Sequence, residues 1–342
     1  MLAREAGGEA MSSSNRGRRT LILTAAFFCM AVGLKANAQQ RAEQSNDEEL
    51  VKVQKQRNGV RTVTIPITVR QRGQRAAQQE LMPIGNLTLR EDGDVQNILS
   101  IRALGVETPM MVEVLIQDDV VSSIGNEIAT IKEFINHLPR ESRVLIGYIR
   151  SGSLEVRQTF TADRERAVSA LRIPIGSASV APYNPYVEII EGLRRFEAMP
   201  KGRRALLVVS DGLDISHGLD SSQPSQSIDL ERAIKEAQRQ GAAIYSFYAP
   251  SVTLDRFNNS RLSANAQGSL ERLSDETGGH AFFQGTGAPV SFDIFLKELA
   301  GTFQRQIALT YLSTHSNKGF HRIEISSDMK NIVIDHPAGY TR

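Results

Sequence analysis

Two stretches of this chain place oxygen-bearing side chains directly after apolar runs. Met111–Ile116 leads into Gln117-Asp118-Asp119-Val120-Val121-Ser122-Ser123, and Ala205–Ser210 leads into Asp211-Gly212-Leu213-Asp214. Carboxylates and hydroxyls in such places have structural uses. Asp118 and Asp119 favour a helix N-terminus through its dipole, with Ser122 or Ser123 as the cap. Asp211 can close an Asx-type turn, and Asn184-Pro185 reads as an N-cap followed by the first helical residue. They can also bind a ligand, because doubly wound sheets bind outside their strand C-termini where the strand order reverses. Other chemistries lack their signatures. There is no Gly-x-Ser-x-Gly and no His-Glu-x-x-His. The turn after Ile116 is not glycine-rich, which removes a dinucleotide site. The six histidines (137, 217, 280, 315, 321, 336) are scattered, and His280 reads as a packed core residue. A nucleic-acid surface would need clustered basic residues with interleaved aromatics, and Trp is absent.

The elements that must hold these loops follow from periodicity. Over 108–305 short apolar strands alternate with helical spacing: strands at 111–116, 144–149, 154–160, 205–210, 242–248 and 280–283, helices at 124–138, 186–196, 230–237, 270–277 and 292–303. Ser151-Gly152-Ser153 suggests a hairpin between the second and third strands. This order specifies an α/β fold with a doubly wound, mostly parallel, Rossmann-like sheet. The flanks differ. Val63, Ile65, Ile67 and Val69 alternate along a strand that Pro66 pushes towards a sheet edge. Residues 86–90 and 98–103 are strand-like about Asp92-Gly93, as are 306–313, 320–326 and 331–335. Neither flank has enough strands to stand alone. We expect 55–107 and 306–342 to pair into one small β-sandwich, two separate β-modules being the competing arrangement.

Arg204-Ala-Leu-Leu-Val-Val-Ser-Asp-Gly212 resembles the fourth-strand signature of von Willebrand factor type A (VWA) domains. The wider pattern is similar to the secreted VWA-related family abundant in acidobacteria. It includes Arg90-Glu91-Asp92-Gly93 with Gln96, Thr277-Gly278-Gly279-His280-Ala281-Phe282-Phe283, His321–Ile325 and Pro337–Tyr340. The resemblance spans about residues 55–340. It implies a metal-ion-dependent adhesion site: Asp-x-Ser-x-Ser after the first strand, a middle-loop Thr, and an Asp after the fourth strand, together holding a hard divalent cation through oxygens. This chain departs from that pattern. From Asp118 the +2 and +4 positions are Val120 and Ser122, and from Asp119 they are Val121 and Ser123. Asn184 stands near the Thr position, and Asp211 is retained. The implied site is degenerate: a weak Mg²⁺ or Mn²⁺ site at Asp118, Asp119, Ser122, Asn184 and Asp211. An acid pair after a first strand also suggests a phosphorelay receiver, but the hairpin at 142–160 breaks that fold's regular order.

Arg16, Arg18 and Arg19, the apolar run Leu21–Leu34, and Ala36-Asn37-Ala38 form the three parts of a secretory signal peptide. The run is too short for a membrane span of about 20 residues. Met11 offers the more usual start. Residues 39–54 read as a flexible arm. The whole chain of 342 residues has 40 basic and 38 acidic residues. Five of the basic and two of the acidic ones lie in the first 38, so 35 basic residues face 36 acidic ones beyond the leader. The positive balance belongs to the leader, and the single Cys29 lies within it. The expected function is an exported, non-enzymatic protein-binding or adhesion module in the periplasm, the envelope or outside the cell. It would have a protein partner, no nucleic acid and no stable membrane span. The alternatives are a structural envelope component with a vestigial site, or a secreted hydrolase. The long polar loop Gly212–Asp229 would lie beside the binding face.

Overall fold

A computed structural model describes residues 60–71, 85–104, 108–200, 202–219, 222–257, 259–285, 287–289 and 291–342. The signal-peptide and arm readings fall outside these residues. Strands β1 (Arg61–Gln71), β2 (Leu87–Glu91) and β3 (Asp94–Ala103) come first. An α/β layer follows: β4 (Met110–Gln117), α1 (Ile128–Asn136), β5 (Arg143–Arg150), β6 (Ser153–Thr161), α2 (Arg164–Ala170), α3 (Pro185–Arg194), β7 (Arg203–Ser210), α4 (Ile228–Gln240), β8 (Ala242–Tyr248), α5 (Val252–Phe257), α6 (Ser260–Asp275), β9 (Ala281–Phe282) and α7 (Asp293–Gln304). The chain ends in β10 (Ile307–Ser313), β11 (Phe320–Ser327), β12 (Ile332–Asp335) and β13 (Gly339–Thr341).

The α/β layer has strand order β6-β5-β4-β7-β8-β9. All its pairings are parallel except the β5–β6 hairpin. Every residue of β4 is buried, as expected of a strand with helices on both faces. Val112, Val114 and Ile116 pack with Ile131, Phe134 and Ile135 of α1 and Leu296, Leu299 and Phe303 of α7. Met111 and Leu115 pack with Tyr186, Ile189 and Leu193 of α3 and Leu230, Ile234 and Ala237 of α4. These helical sets recur every three or four residues, which is why each helix offers one apolar stripe. Helix starts follow their caps: Asn184 accepts from Tyr186 N with Pro185 at the first position, and Ser227 accepts from Leu230 N. Gly241, at φ 63°, ends α4 in the left-handed conformation.

The two ends of the described chain form a single curled antiparallel sheet, in the order β12-β1-β10-β3-β2-β11-β13. Its core holds Val63, Ile65, Ile67, Leu89, Leu309, Tyr311 and Ile323. Pro66 lies in an interior strand rather than at the sheet's edge. It is tolerated because β12 pairs only with Thr68–Gln71, so at Pro66 one side of β1 is unpaired. His280 is not a core residue: it is exposed, because only Ala281 and Phe282 pair with β8 at this edge of the sheet. Helix α6 begins at Ser260, well before the expected position 270, capped by Asn259.

One core residue is out of keeping with its surroundings. Glu113, mid-way along β4, is wholly buried, and neither carboxyl oxygen has a hydrogen-bond partner. It faces Gly192 of α3, where any side chain would collide with it. Burial pushes its carboxyl up to about 8 from the ordinary 4.5, so it is largely protonated at neutral pH. The folded chain therefore keeps a proton that the unfolded chain releases above about pH 4.5. Stability from this group is full at low pH and falls as pH rises towards 8. The size of the effect is on the order of 4 kcal/mol. Glu113→Gln, which keeps the shape without the charge, should match the parent in urea unfolding near pH 5 and exceed it clearly at pH 8. A constant difference across that range would contradict this account.

Candidate functional site

The C-terminal ends of β4 and β7 lie side by side, and the residues following them form one polar cluster. Gln117, the last residue of β4, organises it. Its amide Nε2 donates to Asp119 Oδ1 at 2.8 Å, and its Oε1 accepts from Ser210 Oγ at 2.6 Å and from Asp211 N at 3.2 Å. Ser210 Oγ accepts in turn from Gly212 N at 2.9 Å. Gly212 has φ +70°, and a Cβ there would approach Leu270 Cγ at 2.5 Å, so only glycine fits. Asp211 Oδ1 accepts from Leu213 N at 3.0 Å, closing the Asx-type turn, and its carboxylate also bonds the Ser251 hydroxyl. Burial and the adjacent Asp211 carboxylate push Asp119 up to about 7, and burial raises Asp211 as well. The two acids are thus retained close together in a desolvated place.

The neighbouring Asp118 faces other partners. It is wholly buried, and both its oxygens are taken by the Arg172 guanidinium, at 2.6 and 2.9 Å. Ile175 N donates to the same carboxylate at 2.9 Å, and Arg150 Nε lies 3.4 Å away. Arg172 is itself locked. Its guanidinium lies 3.9 Å from the centre of the Tyr148 ring. Its backbone both donates to and accepts from the Tyr148 hydroxyl, at 2.7 and 2.6 Å. Glu155 accepts from Arg172 at 3.2 Å and from Arg150 at 3.0 Å. A bidentate guanidinium supplies the positive charge at this strand end.

The other expected site residues separate further. Asn184 spends its oxygen on Tyr186 N at 2.9 Å and its amide nitrogen on Asp229 Oδ2 at 2.8 Å. Ser122 is exposed, in a 3-10 turn (Ser122–Glu127) that begins at Val121 without a side-chain cap. Neither Ser122 nor Ser123 caps a helix, because the regular helix starts only at Ile128. Val120, which stands at a hydroxyl position of the adhesion pattern, is wholly buried. Mg²⁺ prefers near-octahedral oxygen coordination. With Asp118 on Arg172 and Asn184 on its own helix, Asp119, Asp211 and exposed Ser122 do not make up that shell. Gln117, Arg172, Tyr148 and Ser251 were not singled out from the sequence. The long loop is held where it is described: Asp214 accepts from Ser216 N, Ser216 Oγ and Ser227 Oγ, and Ile215 N donates to Tyr183 O.

A second polar cluster lies in the curled sheet. Glu91, Asp92 and His321 bring ligand-type atoms within 4.8 Å of one another, an arrangement that could coordinate a divalent cation. Among the described residues no helix is long and apolar enough to cross a membrane.

The Asp118–Arg172 pair yields a direct prediction. Removing one partner of a buried ion pair typically costs about 3–5 kcal/mol. Arg172 is partly exposed at its edge, so the lower end applies. Arg172→Met should lower the unfolding free energy by about 3 kcal/mol, and adding Asp118→Asn should recover part of the loss. An unchanged melting temperature in Arg172→Met would show that the pair is not structural.

No protein-family model matches the chain, and no curated protein matches it. Several solved structures are similar to it. An aerotolerance-related membrane protein from Bacteroides fragilis has 13% identity and a TM-score of 0.40, over 57% of this chain and 98% of that one. The VWA domain of SpRpn10 has 14% identity and a TM-score of 0.37, over 56% and 93%. Manganese-loaded TRAP protein from Plasmodium vivax has 10% identity and a TM-score of 0.37, over 75% and 100%.

Proposed function

We propose that this chain is an exported, non-enzymatic protein-binding module of the VWA type. Its partner docks at the C-terminal edge of the α/β sheet, without a resident cation. The supporting observation is a set of exposed apolar side chains around that edge. Ile173, Ile175, Tyr183, Val187 and Ile228 are 64, 50, 71, 51 and 61% exposed. They are tied to the polar cluster. Ile175 N bonds Asp118, Tyr183 O bonds Ile215 N, and Val187 and Ile228 occupy first turns that the Asn184–Asp229 bond joins. Exposed apolar side chains gathered around one strand end suit a protein-binding site. The buried acids and Arg172 set the shape of the loops that display it. The basic, apolar and Ala-x-Ala segments of the leader support export.

A second reading, a structural envelope component, draws on a different surface. Val95, Leu99 and Ile101 of β3 are 61, 48 and 43% exposed, with Leu99 at a shift in the β3–β10 register. The two readings separate by mutation. The immobilised protein should retain a protein partner from an envelope extract. Tyr183→Asp with Ile228→Asp should cut retention at least tenfold, while Val95→Asp with Ile101→Asp and added chelator should leave it unchanged. The opposite mutational pattern would favour assembly through the curled sheet. Loss on chelation that also occurs in Asp92→Asn, where the curled sheet binds no cation, would restore a metal to the binding face.

A further inference from the structure

We infer that the curled sheet holds a divalent transition-metal site of the Zn²⁺ class, built from Glu91, Asp92, His315 and His321. The first argument is where the imidazole nitrogens point. His321 Nε2 lies 2.9 Å from Asn317 O, and a carbonyl can only accept, so Nε2 carries the proton. Its Nδ1 hydrogen-bonds Asp92 Oδ2 at 2.8 Å and lies 3.5 Å from Glu91 Oε1, so a metal would take the place of the proton between them. His315 repeats the pattern: Nε2 lies 3.3 Å from Asp94 Oδ2, and Nδ1 lies 3.8 Å from Glu91 Oε1. Histidines that bind metals tie the outer nitrogen to a carbonyl or carboxylate in this way and turn the inner one to the ion.

The second argument is the unmet bonding of the inner atoms. Glu91 is wholly buried. Ser313 Oγ and Tyr340 Oη both bond its Oε1, at 3.0 and 2.7 Å, while its Oε2 has no hydrogen-bond partner. His315 Nδ1 is also buried without one. Glu91, Asp92 and His321 bring ligand-type atoms within 4.8 Å of one another, and the partnerless His315 Nδ1 lies 3.8 Å from Glu91, a set of acceptors that one cation would satisfy. Donors at about 2.0–2.1 Å from a tetrahedral ion stand about 3.3 Å apart. The 3.5 Å and 3.8 Å separations are near that value, and the 2.8 Å one would open by about half an ångström. Two nitrogens with two oxygens suit Zn²⁺ better than Mg²⁺ or Ca²⁺.

The fold brings the four together. Glu91 ends β2, and Asp92 forms the turn into β3, fixed by Arg322 N donating to its Oδ1 at 2.8 Å. His315 follows β10, and His321 lies in β11. A cation here would clip the β2–β3 turn to both C-terminal strands. This site is independent of the docking face proposed above.

The experiment uses the full chain, stripped with chelator and titrated with zinc chloride, with bound metal counted by mass spectrometry. The expected result is one Zn²⁺ per chain and a higher melting temperature. His315→Gln and Asp92→Asn should each weaken uptake at least tenfold, with circular dichroism confirming that each is folded. Cobalt(II) should give the intense visible absorption of a four-coordinate ion, which does not depend on any variant. No uptake by the parent, uptake unchanged in both variants, or a weak six-coordinate cobalt spectrum would overturn the proposal.

Discussion

Arg203 stands at the first position of β7, and its guanidinium reaches both ends of the α/β layer at once. It donates to Thr108 O where the chain enters the layer, and to Phe303 O and Gln306 Oε1 where it leaves. The next contact outward is Leu104 N to Gln306 O, at 2.9 Å. An inserted domain must start and finish at one place, and the host sheet can close only if it does. Here β3 and β10, the strands before and after the insertion, pair directly with each other. The curled sheet and the α/β layer are therefore one design constraint met twice. A planar fork of donors suits this task better than a point charge, because several carbonyls must be satisfied together away from water.

At the far end of the same layer, charge is handled by the same chemistry. Strand ends that carry acids need compensating charge or donors. For Asp118 that compensation is ionic: Arg172 arrives from the segment after α2 and is held by Tyr148. For Asp119 and Asp211 it is an amide and a hydroxyl, Gln117 and Ser251, with Asp119 also raised towards neutrality. The charges at these strand ends are thus settled within the protein. The exposed Ile173, Ile175, Tyr183, Val187 and Ile228 are what the proposed partner would meet there, by shape and burial rather than by shared coordination.

The parts of this that the sequence displays are those governed by local periodicity. β4, β7 and β8 are continuous apolar runs, and the caps at Asn184 and Ser227 sit where their helices start. That the two flanks would pair was also readable, since neither could stand alone. What stayed hidden is long-range. Nothing near Asp118 announces an arginine that follows it by 54 residues. Helix α2 buries only Ala167, so it has no stripe to recognise. The first turns of α6 are rich in polar residues, and their few buried positions hide the period. His280 is exposed because the sheet edge, not its neighbours in the chain, sets its surroundings. The histidines that matter, 315 and 321, looked scattered because a turn and a strand in different parts of the sheet bring them to Glu91.

The two polar clusters differ in how their donors and acceptors balance, and that difference gives them different chemistry. Around Asp118 and Asp119 each acid has a protein cation or donor in place, so a metal would have to displace existing partners. Around Glu91 two buried atoms lack a partner, His315 Nδ1 and Glu91 Oε2, while the outer imidazole nitrogens lie against Asn317 and Asp94. His321 Nδ1 has Asp92 as its hydrogen-bond partner, whereas His315 Nδ1 and Glu91 Oε2 lack partners of their own. A single divalent ion beside Glu91 would answer both, in the sheet built from the two ends of the described chain. The resemblance pointed to the strand ends of the α/β layer for metal chemistry, whereas the unsatisfied lone pairs lie in the sheet that carries that layer.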